Sequence, residues 1–483
     1  MDRTAFSSTT KIAADLSAGV VSSAELTEEY IQRIERYDDK VNAVVVRRFD
    51  EARAEAKAAD TAMAAGRLLG PLHGLPITIK ESYDLAGTPT TWGFPASADN
   101  IASTDSHVVR RLKSAGAHFL GKTNVPVGLA DFQSYNDIYG TTGNPWDIER
   151  TPGGSSGGSA AALAAGFTAL EAGSDIGGSI RNPAHYCGVY GHKPTWGVVS
   201  DLGHGLPGKS APSDMSVCGP LARSAEDLAL AIDLIAGPDT RIAHGWQLHL
   251  PRPKRTRLAE YRVALWPEAN FAPVSSEVWS RVQGLADTLA KAGATVSDTA
   301  RPSIDIGQSL EAYYALLWGV MGAGVSNATH AARNAEVDAL DANDHGPRAT
   351  IVRHSVQDHR TWLKQHHQRF RIREAWSAFF EDWDILICPQ MATAAFPHDH
   401  TAPMARQVRI DGEVRPYFEQ LNWSGLITVA HLPSTVFPTG PSDAGLPIGL
   451  QAVGREFDDL LTIDFCRLLA REIGGFQSPP GYD

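Results

Sequence analysis

Two serines set in glycine-rich segments are the first residues in this sequence whose types and spacing could do chemistry. Ser155 lies in the run Gly153-Gly-Ser-Ser-Gly-Gly-Ser159, which leads directly into an alanine-rich apolar stretch. Ser179 follows a glycine pair in the run Gly173-Ser-Asp-Ile-Gly-Gly-Ser-Ile-Arg-Asn-Pro183. The interval between them has room for one helix and one short strand, so the two serine loops can meet in space.

The first segment alone is compatible with a solvated linker, a phosphate-binding loop or a catalytic serine loop. A phosphate-binding loop would follow a strand directly and end in Gly-Lys-Ser or Gly-Lys-Thr, and this run does neither. The second serine segment favours the catalytic interpretation over the linker. Glycines keep such loops free of bulky side chains, and a helix that begins there favours negative charge.

A serine nucleophile needs a base that accepts its proton. His185 and His192 lie close by in sequence, but the Gly-x-Ser-x-Gly elbow that would accompany a histidine base is missing. The other candidate is Lys80, which ends the segment Gly74-Leu-Pro-Ile-Thr-Ile-Lys. The alternation in that segment predicts a strand. A single lysine is most often a surface residue whose stem lies on apolar surface, so Lys80 needs further support.

Together these segments resemble the amidase signature family of Ser-cis-Ser-Lys hydrolases. The matching residues are Lys80, Gly153–Ser159, Asp175–Pro183, Cys187-Gly188 and Lys193-Pro-Thr195, flanked by Gly121-Lys-Thr-Asn124 and Gly143-Asn-Pro-Trp146. The sequence departs from the family pattern at His192, where leucine is usual, and at Trp196-Gly-Val198, where an aromatic residue, glycine and arginine are usual. These departures leave the three catalytic positions intact, but they affect which substrate can be assigned from the family pattern.

The resemblance implies a role for each residue of the two serine loops. Ser179 is expected to be the nucleophile, Ser155 the proton relay behind a cis peptide bond, and Lys80 the base. The expected oxyanion hole consists of the backbone N–H groups of Ile176, Gly177, Gly178 and Ser179. Asp175 and Arg181 are expected to support the loop by hydrogen bonds.

The resemblance also suggests where substrate binds. Position in the family motif assigns Leu129 and Ala130 to the acyl side, and we expect Gln390, Met391 and the segment Asn422–Ile427, with Ile427 at its end, to line the rest. These residues are mostly apolar, which favours a small, largely apolar acyl amide or anilide over a charged substrate. Esters and carbamates could react through the same acyl-enzyme.

Two other classes of function stay open. One is the A subunit of a glutamine-dependent tRNA amidotransferase, against which the Trp196–Val198 departure and the apolar pocket residues weigh. The other is a non-catalytic binding protein on the same fold. The joint presence of Lys80, Ser155 and Ser179 argues against a binding protein, which would need none of them.

Composition and net charge limit the classes of binding partner that we expect for this chain. The chain has 483 residues, of which 43% are hydrophobic and 20% charged, as expected for a large globular core. A net charge of −12 without long acidic runs argues against a nucleic-acid groove and against an anionic membrane surface. No signal peptide or membrane span is expected. We expect a cytoplasmic monomer or homodimer that acts on a small molecule, with reduced thiols at Cys187, Cys218, Cys388 and Cys466.

The alternation of strand and helix patterns predicts one α/β domain over residues 1–483. Its central sheet is expected to be mixed, mostly parallel and covered by helices on both faces. Residues 7–66 are predicted to be helical, with a capping box at Ser22–Glu25. Residues 303–380 are predicted to form a helical cover. The histidines of that region lack the spacing of a zinc helix, so we expect neither a metal nor a cofactor; they are His354, His359, His366 and His367.

Overall fold

Two β-sheets divide the predicted catalytic residues between them. A computed structural model describes residues 5–209, 211–267, 269–344 and 346–482. The strands, in chain order, are β1 Val44–Arg47, β2 Pro76–Lys80, β3 His118–Thr123, β4 Tyr135–Asn136, β5 Gly140–Thr141, β6 Leu170–Asp175, β7 Tyr190–Lys193, β8 Val217–Ala222, β9 Arg262–Leu265, β10 Thr295–Ser297, β11 Ile385–Pro389, β12 Gln407–Ile410, β13 Glu413–Pro416, β14 Ser434–Pro441 and β15 Pro447–Val453. Lys80 ends a strand of a three-stranded sheet, whereas the segment that leads to Ser179 starts from an eight-stranded sheet.

Helices surround both sheets. In chain order they are α1 Thr9–Ser17, α2 Ser23–Val41, α3 Phe49–Ala64, α4 His107–Ser114, α5 Gly157–Ala164, α6 Arg181–Cys187, α7 Ala225–Ile235, α8 Ser276–Lys291, α9 Ile306–Gly322, α10 Asn327–Ala339, α11 Pro347–Ser355, α12 His359–Asp382, α13 Leu421–Val429 and α14 Asp459–Ile473. The capping box predicted at Ser22 and Glu25 is present at the start of α2. Among the described helices, none combines the length and the hydropathy that crossing a membrane requires.

The large sheet has the strand order β10-β9-β11-β15-β14-β7-β8-β6. Helices cover both of its faces, as predicted. On β14, the hydroxyl of Thr435 forms a hydrogen bond with the hydroxyl of Thr462 on α14. The next residue, Val436, packs in an apolar cluster with Ala184 of α6. Because successive strand residues point to opposite faces, α6 and α14 lie on opposite sides of the sheet.

The sheet is mixed, as predicted, but the prediction that it is mostly parallel is wrong. Among the described strands of the large sheet, β9 pairs in parallel with β10 and β11, and every other ladder is antiparallel. Strands β6 and β7, which are joined through α6, are parallel to each other, as expected for a crossover unit. The later strand β8 inserts between β6 and β7 and is antiparallel to both, and sequence periodicity carries no signal of that insertion.

Residues 7–66 also depart from the prediction, because they are not helical throughout. Val44–Arg47 forms β1, which pairs antiparallel with β3 in the small sheet. Its run of valines is β-branched, and such residues favour a strand over a helix. Across the small sheet, β2 and β3 are parallel and joined through α4, which fixes the end of β2 where Lys80 stands.

The predicted helical cover corresponds to α9–α12. Helix α9 packs against α11, α12 and α13, with Tyr313 and Leu316 fully buried. That these helices act as a cover, and that residues 1–483 act as one domain, stay predictions.

Helix α5 connects the two sheets, because it packs against strands β2 and β3 of one and β6 and β8 of the other. Every residue of α5 is buried, and all but Leu163 are glycine, serine or alanine. A Cβ on Gly158 would lie only 2.4 Å from the backbone nitrogen of Asn124, so the glycine permits this close approach. The small side chains of α5 therefore bring Ser155, just before the helix, to the end of the strand that carries Lys80.

Candidate active site

The Lys80 amine lies at the centre of a cluster of serine hydroxyls. Its Nζ atom is within hydrogen-bonding distance of Ser155 Oγ (2.7 Å), Ser174 Oγ (2.9 Å) and Ser156 Oγ (3.0 Å). The lysine side chain is completely buried, which excludes the surface alternative considered for it. Sequence reasoning missed Ser174, although it belongs to the second serine segment and lies on β6.

Burial decides the charge of this lysine. Removal from water lowers the pKa of Lys80 to about 7, and the nearby Asp175 carboxylate is the largest influence in the opposite direction. Glu81, the next residue, faces elsewhere: its carboxylate accepts the backbone N–H groups of Thr91 (2.6 Å) and Trp92 (3.0 Å). A substantial fraction of Lys80 is therefore neutral near pH 7, as a general base must be.

The peptide bond between Gly154 and Ser155 is cis. The Asn182 side chain holds both sides of Gly154, since its Oδ1 accepts the Gly154 N–H (2.9 Å) and its Nδ2 donates to the Gly154 carbonyl. The same Nδ2 donates to the Gly178 carbonyl at 2.9 Å. Asn182 thus ties the two serine loops together, a function that its place in the second serine segment could have suggested.

A second link joins the loops through the backbone. The Ser156 N–H donates to the Ser179 carbonyl at 3.1 Å. Ser179 lies just before α6 and is only 9% exposed. It borders a small apolar cavity of about 60 Å³, which we call the inner cavity. The inner cavity therefore places mostly apolar side chains beside Ser179.

Three of the four backbone N–H groups predicted to form an oxyanion hole are free to do so. Those of Ile176, Gly177 and Ser179 have no acceptor within the described residues. Gly178 is removed from the predicted set, because its N–H donates to Asp175 Oδ1 at 2.9 Å. Gly178 still has to be glycine: its φ is +104°, and a Cβ there would lie 2.6 Å from Ser424 Oγ.

Asp175 and Arg181 form a fully buried pair that shapes this loop. Arg181 donates to Asp175 through Nη2 (2.9 Å) and Nε (3.0 Å), and the remaining lone pairs of the carboxylate accept backbone N–H groups, including that of Ile180 (3.1 Å). Burial opposes ionisation of the carboxyl, but the Arg181 guanidinium, the Lys193 charge and the Gly178 N–H together outweigh it and lower the pKa of Asp175 to about 2. The contacts match the supporting role expected for both residues.

The predicted substrate residues separate into two groups. Leu129 and Ala130 line the inner cavity beside Ser179. Gln390, Met391 and Ile427 do not: all three are buried, and the Gln390 amide donates to Ser424 Oγ at 2.9 Å. Sequence reasoning missed the other apolar lining residues, which are Phe132, Leu317, Trp318, Met321, Phe418 and Leu421.

The described residues contain no group of three or more His, Cys, Asp or Glu side chains that could hold a metal ion. In the helical region, His354 instead contacts Glu311 at 3.2 Å, and the His359 and His366 rings both stack on Trp362.

Comparison with known proteins gives the same family as the site. The amidase family model matches residues 25–463. The A subunit of the glutamyl-tRNA(Gln) amidotransferase of Moorella thermoacetica is 34% identical over 466 residues, covering 90% of both chains. The indoleacetamide hydrolase of Bradyrhizobium diazoefficiens is 32% identical over 476 residues, covering 96% of this chain and 86% of its own. A bacterial aryl acylamidase structure superimposes with a TM-score of 0.80 at 25% identity, covering 97% of this chain and 96% of its own.

The chain therefore belongs to the amidase signature family and is an amidohydrolase. The family mechanism uses a serine triad. The relatives differ in what they act on, so family membership leaves the substrate open.

The Asp175–Arg181 pair makes a testable contribution to stability. Asp175→Asn keeps the shape but leaves the buried Arg181 guanidinium without its counter-charge, so we expect the free energy of unfolding to fall by about 3–5 kcal/mol. Because the pKa of Asp175 is lowered to about 2, the wild-type advantage holds above about pH 4 and fades as the pH falls towards 2. Chemical denaturation at several pH values measures it.

Asp15→Asn is the matched control, since Asp15 pairs with Lys11 on the surface, where Lys11 is 60% exposed. Such pairs contribute about 0–1 kcal/mol. Equal losses in the two variants would contradict a structural role for the buried pair.

Proposed function

We propose that this chain hydrolyses the amide bond of small, largely apolar acyl amides or anilides through an acyl-enzyme on Ser179. The observation that supports it most directly is the inner cavity, which has Ser179 and free backbone N–H groups at one wall and apolar side chains at the others. Esters and carbamates of similar shape are further proposed substrates, because they can form the same acyl-enzyme.

In the proposed mechanism the Ser179 hydroxyl attacks the substrate carbonyl carbon. Ser155 accepts the Ser179 proton and passes its own to neutral Lys80, 2.7 Å away. The negative charge that develops on the carbonyl oxygen is stabilised by the N–H groups of Ile176, Gly177 and Ser179. Lys80 then returns the proton through Ser155 to the leaving nitrogen as the carbon–nitrogen bond breaks. Water attacks the acyl-enzyme by the same route and releases the acid.

The electrostatics of the inner cavity support a neutral substrate. Among the described residues that line the inner cavity, Asp131 is the single one with an acidic or basic side chain. Its carboxylate is already occupied, because it pairs with Arg406 and accepts the Tyr417 hydroxyl at 2.7 Å. A zwitterionic amino acid such as glutamine would therefore bring its ammonium and carboxylate into the cavity without free partners of opposite sign, which is costly.

The second candidate function is the A subunit of a glutamine-dependent tRNA amidotransferase. It is favoured by the 34% identity to such a subunit from Moorella thermoacetica over most of both chains. The apolar inner cavity and the paired Asp131 weigh against it. In that case partner subunits would be required, whereas the first proposal needs none and is compatible with a monomer or homodimer.

We also propose that the protein is cytoplasmic. The four cysteines are free and buried, and burial raises the pKa of Cys218 and of Cys388 to about 12, so these thiols are protonated and unreactive. Free thiols of this kind fit a reducing compartment.

A substrate panel on the purified chain tests the proposed function. We expect hydrolysis of neutral anilides, primary amides and esters without any partner, and no glutaminase activity, because the α-ammonium and α-carboxylate of glutamine find no free ionic partners in the inner cavity. Release of acid and amine is followed by chromatography. Glutaminase activity that appears on addition of amidotransferase partner subunits, with anilides left intact, would favour the second candidate.

The two serines have distinct expected phenotypes. Ser179→Ala removes the nucleophile, so we expect kcat to fall by roughly 10⁴-fold or more. Ser155→Ala removes a relay that a water molecule can partly replace, so a loss of roughly 10²–10⁴-fold is expected. A fluorophosphonate should label Ser179, as mass spectrometry can determine.

Ser174→Ala is the matched control, because Ser174 contacts the same lysine amine at 2.9 Å but has no place in the proton relay. Its loss should be less than about tenfold, the effect of one hydrogen bond. Fluorophosphonate found on Ser155 would reverse the two assignments.

The proton chemistry of Lys80 predicts the pH dependence. Since the pKa of Lys80 is lowered to about 7, the neutral fraction and the acylation rate should both rise with pH through one ionisation near that value. Lys80→Arg should be inactive throughout, because a guanidinium keeps its proton. Lys80→Met should lose most activity on amides and less on activated esters, whose leaving groups need no proton. Near wild-type amide hydrolysis by Lys80→Arg, measured under single-turnover conditions, would overturn the neutral-lysine mechanism.

A further inference from the structure

A second and larger cavity lies next to the inner one. Its volume is about 480 Å³, against about 60 Å³ for the inner cavity, and we call it the outer cavity. Trp318 and Phe418 are the described residues that line both. Their ring centroids are 6.4 Å apart and their planes make an angle of 87°, an edge-to-face arrangement. The two rings therefore form a partition between the cavities.

Helix α9 explains the position of Trp318. Gly307, Leu310 and Tyr314, in its first turns, line the outer cavity, and Leu317 and Met321, in its last turns, line the inner cavity. Trp318 lies where the two sets meet. On the opposing segment Phe418 likewise lines both cavities, whereas Tyr417, Glu419 and Asn422 line the outer cavity and Leu421 lines the inner one.

The partition is less tightly held than the walls. Tyr314 donates its hydroxyl to Asn422 Oδ1 at 2.6 Å, and Tyr417 donates to Asp131 Oδ1 at 2.7 Å. The buried Trp318 indole N–H, in contrast, has no acceptor among the described residues, and Phe418 has no polar group. Packing alone therefore positions the two rings, and a ligand that crosses between the cavities can displace them without breaking a hydrogen bond.

The outer cavity is aromatic and carries little free charge. Its ring-bearing residues are Tyr314, Trp318, Tyr417 and Phe418. Two of its ionic side chains are paired with opposite charges, Glu419 with Arg415 (2.8 Å) and Arg406 with Asp131. The third, Glu311, is 56% exposed to water and contacts His354 at 3.2 Å. A neutral aromatic group fits this chemistry better than a charged or strongly polar one.

We propose that the outer cavity binds a neutral aryl group on the amine side of the scissile amide, and that Trp318 and Phe418 determine specificity by contacting that ring. This inference deepens the proposed function and rests on it. The small acyl group would stay in the inner cavity beside Leu129 and Ala130, bound covalently to Ser179 until water hydrolyses the acyl-enzyme. The amine leaves first, so the larger cavity gives it a way out. The preferred substrates are then acyl anilides with a short acyl chain.

Acetanilide and N-methylbenzamide test this arrangement, because they are isomers that carry the phenyl ring on opposite sides of the amide. Acetamide supplies the acyl group without any ring. Trp318→Ala should raise KM for acetanilide about tenfold through loss of the ring contact, with kcat nearly unchanged. Acetamide and N-methylbenzamide carry no ring on the amine side, so their KM should rise less than that of acetanilide, by an amount that reports the contact of Trp318 with the inner cavity. Phe418→Leu should act in the same direction, which covers the case that Trp318→Ala does not fold.

Trp279→Ala is the matched control, since Trp279 lies on α8 and is 37% exposed. Its kinetic parameters should equal those of the wild type on every substrate. Equal effects of Trp318→Ala on acetanilide and acetamide would overturn the inference while leaving the proposed function intact. A larger effect on N-methylbenzamide would place the ring on the acyl side and also overturn it.

Binding to the Ser179→Ala variant separates this inference from the proposed function. Calorimetry should show that acetanilide binds Ser179→Ala about tenfold more tightly than the double variant that also carries Trp318→Ala. If the wild type hydrolyses none of the three amides, the proposed function fails, yet this binding difference still reports on the outer cavity. Equal affinities of the two variants would reject the aromatic subsite.

Discussion

The burial of one lysine amine among serine hydroxyls is the interaction on which the rest of this site depends. Lys80 is surrounded by Ser155, Ser156 and Ser174, and the carboxylates nearest to it in sequence or space are engaged elsewhere. Hydroxyl groups can solvate either protonation state of an amine, whereas a carboxylate in contact would hold it charged. A buried lysine without a carboxylate partner can therefore exchange protons near neutral pH.

The buried ion pair beside it has a different function. Asp175 gives its lone pairs to Arg181 and to backbone N–H groups of the loop, so its negative charge is compensated locally. The carboxylate thereby shapes the loop while its pull on the Lys80 proton is weakened. Because the Gly178 N–H donates to Asp175, it is lost from the predicted oxyanion hole. The other three predicted N–H groups stay free within the described part of the chain.

The parts of the structure that sequence could predict are the local ones. Lys80 at a strand end, the glycine-rich loops and the Ser22 capping box are specified within a few residues, and the structure has them where expected. Contacts between distant segments could not be predicted from the sequence. They are the insertion of β8 between β6 and β7, the hydrogen bond from the Gly178 N–H to Asp175, and the partition formed by Trp318 and Phe418. Gln390, Met391 and Ile427 were assigned by position along the chain, which does not reveal that they are buried.

The reach of Arg181 has a consequence for the assembly of the protein during its synthesis. Besides Asp175, its guanidinium donates to Thr428 Oγ1 (2.8 Å) and Gln451 Oε1 (3.2 Å), which lie far towards the C-terminus. The nascent chain thus carries both serine loops long before it carries the groups that complete their bracing. The bracing of the Ser179 loop is therefore complete only once Gln451 has been added to the chain, and a fragment that ends before β15 lacks this contact.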